Sequence, residues 1–211
     1  MTVLPDSDQH QPPPSDYQLM LPNGWFRIAL EPEHREQSVD ALVKRQFSGV
    51  DDAPQLRQTL RKELLKQATE AFDEGGIELY ISLQQAGALT VPASLLITLL
   101  SPQNHGANLP SVSELAESLA AEGRSGRTVS LVELAAGPAM KVRVAPDGTA
   151  PRAKTGEDDY ALPSVTVDYQ LRVPRSDMHL LLTFSTPLVQ IADAMVELFD
   201  AVAGSLVWKE Q

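Results

Sequence analysis

The stretch VTVDYQLRVPRSDMHLLLTFSTPLVQIADAMVELFDAVAGSLVW, residues 165–208, decides the fold, because its apolar spacing changes from every second residue to every third or fourth within one run. Val165, Val167, Tyr169, Leu171 and Val173 alternate with Thr166, Asp168, Gln170 and Arg172, the pattern of a half-buried strand. Pro174-Arg175-Ser176-Asp177 is turn chemistry, and His179 to Phe184 runs back as the antiparallel partner. A helix follows at once. Thr186 is placed to cap it, and Pro187 suits a first helical position, where its missing N–H costs nothing. Leu188, Ile191, Ala192, Met195, Leu198, Phe199 and Val202 then form one apolar face, and Gly204 offers a stop. The stretch predicts an α+β fold, a sheet with a long C-terminal helix packed on it, and supplies no catalytic residue.

Working back from this module, residues 1–16 contain the run Pro12-Pro13-Pro14 and almost no apolar side chains, which predicts a disordered, proline-rich N-terminal tail. A single domain is expected over residues 17–211. Tyr17, Leu19 and Leu21 alternate, Pro22-Asn23-Gly24 turns, and Trp25 to Leu30 reads as the second strand of a hairpin. Two helices follow. One runs from Pro32 to Phe47 with Val39, Leu42, Val43 and Phe47 as its stripe; the other, from Pro54, repeats Leu56, Leu60, Leu64, Ala68 and Phe72 and ends at Gly75-Gly76. Ile77 to Leu83 is a strand, and the continuously apolar Leu89 to Leu100 a central one, with Pro92 confined to its start, a bulge or an edge. Ser111 and Glu114 have capping-box spacing and open a short helix. Thr128–Leu134 and Ala139–Ala145 are further strands, the second with Lys141 and Arg143 on a face read as solvated. Leu206 to Trp208 makes a last strand or a packing anchor.

With 43% hydrophobic residues in 211, the chain has enough for one buried core. A net charge of −11 argues against nucleic acid or an anionic membrane as partner. The sequence contains no cysteine and no apolar run long enough to span a bilayer, which leads to the expectation of a soluble cytoplasmic protein without membrane insertion.

Chemistry is sparse. No catalytic residue, metal site or cofactor is expected: the four histidines are far apart, and no nucleophile elbow or phosphate-binding glycine loop is present. Two groups stand out as candidates. Arg57, Arg61, Lys62 and Lys66 are a basic cluster on an acidic protein, read either as a solvated helix face or as a docking surface for a protein partner. His105, with Asn104 in a polar loop, and Trp25 at the N-terminal turn are candidates for a small-ligand site.

The opening Tyr17-Gln18-Leu19-Met20-Leu21-Pro22-Asn23-Gly24-Trp25 resembles that of proteins with the Mog1/PsbP-like fold, and the C-terminal module resembles uncharacterised actinobacterial proteins. The resemblance spans about residues 17 to 208. It implies an α/β/α sandwich around a mainly antiparallel sheet of about six or seven strands, and an adaptor-like role without catalytic residues. Three functional readings follow: an accessory protein presenting a sheet edge or helix face to an unidentified protein partner, a small-molecule site or enzyme near His105, and a homodimer formed through an exposed sheet edge.

Overall fold

The hairpin of residues 165–186 lies at the middle of a seven-stranded antiparallel sheet. The computed structural model describes residues 12–49, 53–86, 89–102, 109–146 and 163–210. In chain order the elements are β1 (Asp16–Gln18), β2 (Trp25–Ile28), α1 (Pro32–Gln46), α2 (Pro54–Asp73), β3 (Gly76–Ala86), β4 (Leu89–Leu100), α3 (Val112–Ala121), β5 (Arg127–Leu134), β6 (Gly137–Val144), β7 (Val165–Arg172), β8 (His179–Thr186), α4 (Ala192–Gly204) and β9 (Val207–Lys209). The sheet order is β2-β3-β4-β8-β7-β6-β5, and β1 pairs with β9 in a separate two-stranded ribbon.

Register explains the layers. One row of partners, Ile28–Leu79–Leu96–Thr183–Asp168–Val142–Val129, crosses the whole sheet on one face. Its first three residues sit under α1 and α2 with Leu64 and Ala68, and its last two under α3 with Ala116. The neighbouring row, Arg27–Tyr80–Leu95–Phe184–Val167–Arg143–Thr128, faces the other way. There Leu95, Phe184 and Val167 meet Phe199, Val202 and Met195 of α4. The result is the expected α/β/α arrangement, with α1, α2 and α3 on one side and α4 on the other.

Several local expectations are corrected. The Tyr17–Leu21 and Trp25–Leu30 segments do not form a hairpin: β1 pairs with β9, and β2 pairs with β3. The Tyr17 hydroxyl donates to Glu78 at 2.6 Å, which ties β1 to the sheet through a side chain rather than a ladder. The same carboxylate accepts from Tyr80 and pairs with Arg27 at 3.1 Å, while burial and that charge push the Tyr80 phenol up to about 12. The strip on α2 also drifts. Each four-residue step overshoots a full turn by about 40°, so Leu64 and Ala68 are buried while Leu56 and Phe72, at the two ends, are 64% and 42% exposed. In the C-terminal module, the Thr186 hydroxyl accepts from the Leu188 amide, but a 3₁₀ turn (Val189–Ile191) intervenes and the α-helix starts at Ala192. The face of β6 carrying Lys141 and Arg143 is not open to solvent: α4 lies over it, with Asp200 and Asp193 as their partners at 2.6 and 2.7 Å.

Other expectations hold. β4 is internal, and Pro92 lies in its first part, which pairs with β3 alone because the β4–β8 ladder begins at Ser94. Ser111 and Glu114 form the capping box of α3. Gly76 is required by close packing, since a Cβ there would stand 2.6 Å from the Ala71 carbonyl oxygen. Trp208 both belongs to β9 and anchors the C-terminus, donating its indole N–H to the Ala136 carbonyl at 2.9 Å. Residues 1–11 of the expected tail and His105 lie outside the described residues.

Candidate functional site

Among the described residues, the outer edge of β5 pairs with no other strand. Two features leave it unpaired. Ala135-Ala136 closes a tight hairpin to β6, and α3 occupies the chain before it, so nothing follows β5 on its free side in the sheet order. Ala145 donates its amide to the Gly126 carbonyl at 2.9 Å, and antiparallel alternation then turns Thr128, Ser130, Val132 and Leu134 toward β6. The backbone groups of Val129, Leu131 and Glu133 therefore point outward; the Arg127 amide is held by the Arg124 carbonyl at 3.3 Å, leaving its carbonyl free in direction. β5 contains no proline, and its register with β6 shows no bulge. These are the devices that ordinarily blunt an edge. The Leu131 side chain is 54% exposed on this strand, and charges stand only at its ends, Arg127 and Glu133. By contrast the opposite edge, β2, has only four residues.

The basic residues of α2 do not form one face. Arg57 donates to the Phe47 carbonyl at 3.4 Å and lies over the Phe47 ring, 5.6 Å from its centre. Arg61 holds Asp40 at 2.6 Å and Glu36 at 3.1 Å, stapling α2 to α1. Lys62 and Lys66 lie roughly 100–180° around the helix from these two, exposed, with Lys66 3.9 Å from Glu70. Trp25 is half-buried and packs against the core beneath α4. Asn104 and His105 fall outside the described residues.

One polar strip was not singled out by the sequence. Between the α1/α2 layer and α3, strands β7 and β8 present Asp168, Thr183, Gln170 and His179 on the same face. Asp168 Oδ1 is enclosed and has no hydrogen-bond partner among the described residues. Burial raises the Asp168 carboxyl above its ordinary range, against a lowering hydrogen bond from Thr183. His179 Nδ1 lies 2.9 Å from the Gln170 amide nitrogen, and burial, then the Arg172 charge, lower its basicity. The two titrating groups are not a dyad. Asp168 pairs with Thr183 and His179 lies four residues further along β8, roughly 13 Å at strand rise.

A pH consequence follows from Asp168. Its folded state holds a proton more tightly than the unfolded chain, so this group's contribution to stability falls as pH rises from the unfolded carboxylate value, about 3.9, through its raised folded value. Asp168→Asn is expected to remove that slope, so that its unfolding temperature gains on that of the wild type between pH 3.5 and pH 7. Thermal unfolding of both proteins at the two pH values checks it; an unchanged slope contradicts the assignment.

No protein-family model matches the chain, and no curated protein matches it. Among solved structures it is similar to the Saccharomyces cerevisiae Ran-binding protein Mog1p, at 13% identity and a TM-score of 0.39 over 63% of this chain and 79% of that one. A likeness of that size decides nothing about function, and the fold rests on the topology described above.

Proposed function

We propose that this protein is a non-enzymatic accessory protein that binds another polypeptide by strand addition along β5. The observation that carries the reading is the combination on one strand of outward backbone groups, a flat register and an exposed Leu131. Main-chain hydrogen bonds would supply affinity, and alternate side-chain positions would supply selection. Leu131 tests this without breaking the fold. Its amide points away from β6, so Leu131→Pro deletes an outward donor while sparing the internal ladder. Protein purified gently from its own host is expected to retain a stoichiometric polypeptide companion by native mass spectrometry, and Leu131→Pro to lose it. Retention by Leu131→Pro together with loss by Lys62→Glu/Lys66→Glu would move the contact to the outer face of α2.

A further inference from the structure

We infer that the strand β5 takes up is β5 of a second copy, in antiparallel register about a two-fold axis at Ser130. The inference rests on the reading of β5 as a docking edge, and names its occupant. Outward-facing residues must meet outward-facing residues, which restricts the possible registers to alternate positions. One of them is self-complementary. With Ser130 opposite the partner's Ser130, Val129 faces the partner's Leu131, and Arg127 faces the partner's Glu133. Each pair occurs twice because the interface is isologous. Sliding by one allowed step in either direction sets Arg127 against the partner's Leu131 or Glu133 against the partner's Val129, and loses both matches.

The surroundings suit this register. Val129, Leu131, Arg127 and Glu133 lie on the α3 side of the sheet, where a cleft of about 240 Å³ opens between the end of α3 and β5, lined by Leu119, Gly123, Arg124 and Val129. The partner's Val129, opposite Leu131, would cover an apolar side chain that is 54% exposed in the single chain. Arg127 already holds Glu122 at 2.8 Å, so the partner's Glu133 would give its guanidinium a second carboxylate. The chain's net charge of −11 opposes association of two copies, but that repulsion is screened beyond about 8 Å at physiological salt. Contact pairs therefore decide the outcome.

The lack of native cysteine makes the register directly testable. Facing positions of a non-hydrogen-bonded antiparallel pair have Cα atoms about 4.5 Å apart, inside the range of about 4.4–6.8 Å that a disulfide spans. Ser130→Cys is expected to give a covalent dimer under mild oxidation, and Thr128→Cys, offset along the strand, to give none. In sedimentation the wild type is expected to dimerise with concentration, and Glu133→Lys, which creates two like-charged pairs, to raise the dimer Kd about tenfold. Equal cross-linking at both cysteines would overturn the register. A wild type that stays monomeric at every concentration, with no Ser130→Cys dimer, would overturn the second copy as occupant; the strand-addition reading would then stand or fall on Leu131→Pro and the host companion.

Discussion

Phe199→Ala is expected to remove a large part of the stability of the whole domain. Phe199 has no exposed surface and stacks on Phe184, ring centres 4.8 Å apart and 22° between planes. Phe184 in turn meets Tyr169 in a T-shaped contact, ring centres 5.8 Å apart and 88° between planes. This file of rings runs from α4 through β8 to β7, so it joins the helix to the two middle strands. Truncating a buried phenylalanine costs about 3–5 kcal/mol, through lost transfer energy and the cavity left behind. Against a total of about 5–15 kcal/mol for a domain, that is enough to leave a substantial unfolded fraction when stability lies at the low end. At about 2–4 °C per kcal/mol for a chain of this size, the unfolding temperature should fall by roughly 6–20 °C. Calorimetry or chemical denaturation checks it, and a loss below about 1 kcal/mol would mean that α4 is not held by this file.

Asp200→Ala is expected to produce the second largest loss, about 1–3 kcal/mol. Asp200 accepts from the Tyr169 hydroxyl and lies 2.6 Å from Lys141 Nζ. Tyr169 has no exposed surface and the Lys141 side chain is 16% exposed, so removing the carboxylate strands a hydroxyl and an ammonium group under α4. The Asp200 side chain itself is 44% exposed, and water reaching that side keeps the loss well below that of a fully buried pair. The two contributions separate in a double-mutant cycle. In a Tyr169→Phe background the cost of Asp200→Ala should shrink, because one of the stranded groups is already gone. Strict additivity would show that the Tyr169 hydroxyl contributes nothing to the clamp.

Much of this architecture is legible in the residues themselves wherever a local period and its burial agree. Val165 to Arg172 alternates, and the alternate residues Val165, Val167, Tyr169 and Leu171 are buried. Ser111 and Glu114 need only each other, and their capping box forms as spaced. What was illegible depends on partners distant in sequence. Pro22-Asn23-Gly24 reads as a hairpin turn, yet Tyr17 lies opposite Trp208, nearly the full chain away. Lys141 and Arg143 read as a wet face because nothing near them announces that Asp193 and Asp200 of α4 arrive to pair with them. The strict fourfold repeat on α2 looks stronger than it is, since its ends wind off the core. The candidate site shows the same limit. Arg127, Val129, Leu131 and Glu133 look like any strand until the sheet order places them on an edge, and the only local signal was the pair of opposite charges at the two ends of the strand. Asp168, whose alternation with buried residues reads as solvent-facing, lies instead on a face shared with two helix layers.

Amide hydrogen exchange across β5 decides whether the strand is a docking edge. In dilute protein the outward amides of Val129, Leu131 and Glu133 should exchange fast, while the inward amides of Thr128, Ser130 and Val132 are protected by β6. When the protein is concentrated, or when its host companion is bound, the amides of Val129 and Leu131 should slow markedly and those of the short edge β2 should not change. Fast exchange at Val129 and Leu131 under both conditions, with a companion or a second copy demonstrably bound, would contradict the account.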